Sequence, residues 1–142
     1  MKAIYSSVLL NLIKVIVSLL CASLIGLQKQ ENLRIAGIHT LQIIGIGTCF
    51  FMVISISLSP FLFVEPYRVA GNIMIGMLLF GVFVLLKEET TYKGILSAAM
   101  IWVTGTIGIA IGIGLFIEGI FMTILTFFLL GWLNNNVKKD EF

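Results

Sequence analysis

Ser7, Asn11, Lys14, Ser18 and Cys21 recur at spacings of four, three, four and three, the period that lines side chains along one face of a helix. The opposite face of that stretch is apolar. A lysine amine about 10 Å down such a helix, by its rise per residue, either snorkels to the nearer surface or finds a partner or a task inside a bundle, because a bare ammonium in hydrocarbon is costly. The polar stripe is therefore expected to face a bundle interior. Further along stand Glu65, Arg68 and, one helical turn on, Asn72, with Glu118 far downstream. Asn11, Lys14, Glu65, Arg68, Asn72 and Glu118 supply two bases, two acids and two amides, a set that can close around one outward polar pocket and hold a small ligand. The same groups can instead be ion pairs and amide bonds that fix helix neighbours.

Other chemistries find little material. His39 is the sole histidine and stands beside Thr40 and Gln42, without HxxxH, paired carboxylates or a nearby Cys, so no metal site is expected and an interfacial hydrogen-bonding role is. No nucleophile and base are paired, and neither catalysis nor a cofactor is expected. Cys21 and Cys49 lie inside apolar runs, where a free Cys acts as a small hydrophobe. Net charge is +2, from nine Lys and Arg against seven Asp and Glu, too little to argue for nucleic acid.

The elements that must position these groups are membrane spans. Of 142 residues, 59% are apolar and 11% charged, against about a quarter charged in a soluble domain, and the mean hydropathy is +1.12. A span needs about 20 apolar residues to cross about 30 Å of hydrocarbon. Five are expected, near 8–27, 41–64, 69–86, 95–114 and 117–133, in an all-α polytopic bundle forming one domain over 1–142 with no soluble domain. Pro60 and Pro66 bracket the apolar link after the second span. The block from Gly94 to Leu133 is about twice one span in length, and Glu118 with Gly119 marks the expected reversal inside it.

Basic residues orient the bundle. Lys29, Arg34, Lys87, Lys93, Lys138 and Lys139 fall in short segments on one side, and only Lys2 and Arg68 on the other. Six against two places the C-terminus in the cytoplasm and the N-terminus outside. Lys2 followed by an apolar stretch resembles a secretory signal, but Asn11 and Lys14 interrupt its apolar region and Leu20 before Cys21 is too large for a lipoprotein cleavage site, so a retained helix is expected.

Glycine use adds a packing expectation. Gly105, Gly108 and Gly112 share one side of the fourth span, whereas Gly71, Gly76 and Gly81 recur at five-residue intervals, too wide for one face. Small residues let helices approach closely in lipid, which puts the fourth span at the centre of the bundle and Val103 on its lipid side.

Three stretches carry a family likeness from Ser18 to about Trp132. They are Ala22-Ser-Leu-Ile-Gly26-Leu with Ala36-Gly-Ile-His-Thr40; Pro66-Tyr-Arg68-Val-Ala-Gly-Asn72 with Gly76 and Gly81; and Lys93-Gly94, Ser97-Ala-Ala99 and Ile101-Trp-Val-Thr104 with Gly108, Gly112 and Gly114. In order, spacing and span number the chain resembles the MgtC/SapB family of bacterial inner-membrane proteins. It departs from the family at Gly26-Leu-Gln-Lys-Gln30, where the family's Gly-x-Glu-Arg-Glu acids are lost, and at Ile38-His39-Thr40-Leu41, where the family reads Leu-Arg-Thr-His. Asn72 stands for a Gln, and Leu78 and Phe83 for two glycines. Some family members also carry a soluble C-terminal domain that this chain is expected to lack.

The resemblance implies adaptation to low magnesium and, in pathogens, survival inside host cells. It also implies regulation of a partner membrane protein, the proton-driven ATP synthase or a transporter among them, although many members are named magnesium transporters. Apart from Glu118 at the outer end of the fifth, no span carries the acidic oxygen ligands that an Mg²⁺ path would want. A non-enzymatic bacterial inner-membrane regulator is the first expectation, an ion transporter or channel subunit the second. The lipid bilayer, another membrane protein and a second copy of the chain are the partners to look for.

Overall fold

The computed structural model describes residues 2–27, 37–62, 65–87 and 92–140. They form five helices in chain order: α1 (Lys2–Leu27), α2 (Ile38–Leu62), α3 (Pro66–Lys87), α4 (Tyr92–Ile113) and α5 (Phe116–Asp140). Each runs 22 to 26 residues, or about 33 to 39 Å by helix rise, and all five are long and apolar enough to cross a bilayer. In hydrocarbon the backbone has no water to bond, so an apolar stretch of this length closes its hydrogen bonds within itself as a helix. The expected loop residues Lys29 and Arg34, with 88–91, lie outside the described residues.

Helix ends follow local chemistry. α3 opens at Pro66, whose missing N–H would be unbonded there in any case, and the Arg68 amide closes the first turn onto the Glu65 carbonyl at 3.0 Å. Lys87 occupies the last turn of α3, where its charge meets the negative end of the helix. Pro60 lies inside α2, two residues before its last, and the helix ends soon after it, within the limit expected for the second span.

The reversal between α4 and α5 falls at Gly114 and Leu115, earlier than the Glu118-Gly119 pair expected to make it. Gly114 has φ +112°, a conformation that a Cβ opposes. Its amide bonds the Ile111 carbonyl at 3.0 Å and the Leu115 amide bonds Ala110 at 2.9 Å, the two bonds of a Schellman cap. Glu118 instead lies in the first turn of α5, where a carboxylate favours the positive end of the helix.

α4 is the hub. It packs against each of the other four helices, and α3, α2, α1 and α5 form an arc around it in which only successive members touch among the described residues. Over half of its span, 56%, is buried, against 11% in α3 and in α5. The arc is open between α3 and α5, and through that gap α4 exposes Ile95, Trp102 and Ile113. Val103, expected on the lipid side, is instead half-buried and packs against the core.

Candidate functional site: a buried lysine at the end of the central helix

The polar stripe of α1 turns inward as its spacing requires. Lys14, Ser18 and Cys21 are buried, Asn11 is half-buried and Ser7 is exposed. Ser18 Oγ donates to the Gly45 carbonyl of α2 at 2.8 Å. Lys14, 7% exposed, reaches across the bundle and donates from Nζ to the Gly112 carbonyl of α4 at 3.0 Å. The Schellman cap has taken the carbonyls of Ala110 and Ile111, so Gly112 presents the next carbonyl of the helix end. An ammonium there satisfies that carbonyl and meets the partial negative charge of the helix C-terminus. Lys14 therefore bonds inside the bundle, at the end of α4.

Close approach of α2 and α4 makes this geometry possible. A Cβ added at Gly108 would lie 2.7 Å from the Gly45 carbonyl oxygen and overlap Thr48 Oγ1; one at Gly112 would lie 2.8 Å from the Cys49 carbonyl oxygen. Gly108 and Gly112 of α4 thus interlock with Gly45 and Cys49 of α2, each pair one helical turn apart. Gly105 is different: it faces the flexible Met77 side chain of α3. Thr48 bonds the Ile44 and Gly45 carbonyls of its own helix, as Thr104 and Thr123 bond carbonyls four residues back, which satisfies their buried hydroxyls.

The six expected pocket residues are distributed over several places. Glu65 and Arg68 are brought together, with Arg68 Nε 3.6 Å from Glu65 Oε2 and the Tyr67 hydroxyl donating to the same oxygen at 2.6 Å, all exposed. Asn11 lines a groove between α1 and α2, with Val53 and Ser57 opposite. Asn72 lines a separate groove between α2 and α3. Glu118 is exposed on the first turn of α5. Lys14 finds a carbonyl as partner rather than either acid.

At the other end of the bundle, His39 Nδ1 lies 3.3 Å from Gln42 Oε1, and Gln42 Nε2 donates to Ser23 Oγ at 2.9 Å. The histidine is hydrogen-bonded, as its neighbours predicted. Cys21 and Cys49 are buried and free. Gly45 escaped the sequence reading, although its spacing to Cys49 matches that of Gly108 to Gly112. Gly114 was noted only for its likeness to the family, whereas a glycine closing an apolar helical run is itself a signal for a helix end.

Four apolar helices around a glycine-packed fifth, with one lysine hydrogen-bonded inside, define a multi-pass helical membrane protein. The profile of the MgtC family matches residues 15–139, and the chain belongs to that family. It is 30% identical over 126 residues to "Putative magnesium transporter YhiD" of Escherichia coli K12, covering 84% of this chain and 58% of that protein. It is 29% identical over 114 residues to "Protein MgtC" of Salmonella typhimurium LT2, covering 80% and 48% respectively. A third relative, "Uncharacterized protein slr0014" of Synechocystis, is 30% identical over 110 residues, or 78% of this chain and 46% of the relative. The chain thus spans about half the length of the curated relatives it matches. No solved structure matches it.

Proposed function

We propose that this chain is a non-enzymatic protein of the bacterial inner membrane that acts on another membrane protein during adaptation to low Mg²⁺, with its N-terminus outside. The observation that carries the reading is the bond between Lys14 and Gly112. The one charged side chain buried among the described residues is a cation. A divalent cation passing within about 6 Å of it would meet a repulsion of roughly 5 kcal/mol at an effective dielectric constant near 20. Both acids with described side chains, Glu65 and Glu118, stand exposed at helix N-terminal ends. Such an interior favours a packed regulator over an Mg²⁺ path. Ligand binding at the exposed Glu65–Arg68 pair belongs to the same proposal, as a means of tuning the bundle's shape.

The transporter reading rests on the name borne by the YhiD relative. Purified protein in liposomes loaded with an Mg²⁺ indicator separates the two. Flux equal to that of protein-free vesicles, together with poor growth of a deletion strain at low Mg²⁺, is expected. Protein-dependent Mg²⁺ entry would overturn the regulator.

A further inference from the structure

Asn72 is exposed on α3, six residues past Pro66, which sets it about 9 Å along the helix by its rise. It makes no hydrogen bond within the described residues, and the walls around it are apolar, Ile43 and Phe51 of α2 and Val69 of α3, save for Thr48, whose hydroxyl is bonded to carbonyls of its own helix. The floor of the same groove has no side chains at Gly47 and Gly76, where an added Cβ would meet nothing within 4 Å. These two differ from Gly45, Gly108 and Gly112, which internal packing uses up. An acyl chain can fill such a groove but offers the amide neither a donor nor an acceptor.

We propose that the groove between α2 and α3 is the self-association surface of this protein, in which α3 of a second copy packs against α3 of the first with their two Asn72 amides hydrogen-bonded to each other. Copies inserted in one orientation are related by a two-fold axis along the membrane normal, so identical residues meet at identical depth. A carboxamide carries both a donor and an acceptor and is complementary to itself. Val69, Asn72 and Gly76 follow spacings of three and four and so share one face of α3. The open glycine at 76 lets the second backbone approach. This surface stands independently of the regulatory role proposed above.

The test is oxidative crosslinking in liposomes that contain only this chain, with the buried Cys21 and Cys49 left as background. Val69→Cys and Gly76→Cys should each give covalent dimer, and Phe128→Cys, exposed on α5, should not. Adding Asn72→Leu to Gly76→Cys should lower the dimer yield at least tenfold, and Asn72→Gln should restore most of it. The exposed site allows either residue without loss of folded protein, which monomer recovery verifies. No dimer from positions 69 and 76, equal dimer from position 128, or a yield indifferent to Asn72→Leu would each overturn the proposal. Because the vesicles hold no other protein, any of these failures leaves the Mg²⁺ flux result and the regulatory reading untouched.

Discussion

Lys14 of α1 and Gly112 of α4 lie 98 residues apart in the chain and 3.0 Å apart in the structure. The contact ties the first helix to the end of the hub, and each group answers the other's need. The carbonyl at a helix C-terminus lacks an intrahelical donor, and the amine lacks water.

Replacing Lys14 therefore separates charge from space. Lys14→Leu strands the Gly112 carbonyl and should cost about 1–3 kcal/mol, read as a lower melting temperature of the detergent-purified protein. Lys14→Glu puts a negative charge on the negative end of α4 and should collapse folded yield. Equal stability of the leucine and glutamate variants would contradict the cap.

The glycine interlock predicts a contrast within the chain. Gly108→Ala places a methyl 2.7 Å from the Gly45 oxygen, where backbone must move, and should destabilise by about 1–3 kcal/mol. Gly71→Ala meets nothing within 4 Å and should be neutral or stabilising by up to about 1 kcal/mol, since alanine is the better helix former. Thermal unfolding of the two variants side by side checks both signs.

At the α4–α5 reversal, Gly114→Ala forces a side chain into a left-handed conformation, at a cost of about 1–2 kcal/mol. The same change at Gly37, exposed just before α2 with open space around it, is expected to have little effect on melting.

The exposed Arg68–Glu65 pair should contribute at most about 1 kcal/mol. Arg68→Ala is accordingly expected to leave membrane levels and melting unchanged. Lost growth at low Mg²⁺ in that variant would then report on function rather than folding, and lost protein would point to a structural role.

Orientation is testable with a reporter active only in the cytoplasm. Fused after Asn136 or within 88–91 it should work, and fused at Ser59 it should fail, on the warrant of the six-to-two distribution of Lys and Arg. Activity at Ser59 would invert the topology.

The number of helices and their approximate limits were legible in the sequence because a bilayer imposes one length and one polarity on every crossing. The inward turn of Lys14 and Ser18 was legible too, since a period of three and four assigns residues to a face without reference to any partner. What the sequence left open was the partner itself. Helical spacing says that Lys14 and Ser18 look inward, but not that a glycine carbonyl of α4 and one of α2 await them. Nor does it say that Gly108 is filled by Thr48 and Gly45 while Gly76 remains open. Backbone carbonyls carry no side-chain signature, and whether a small residue is packed or vacant depends on which helix lies against it. Those matters were decided by the arrangement of the helices around α4, where contacts between distant segments, and not local periodicity, set the neighbours.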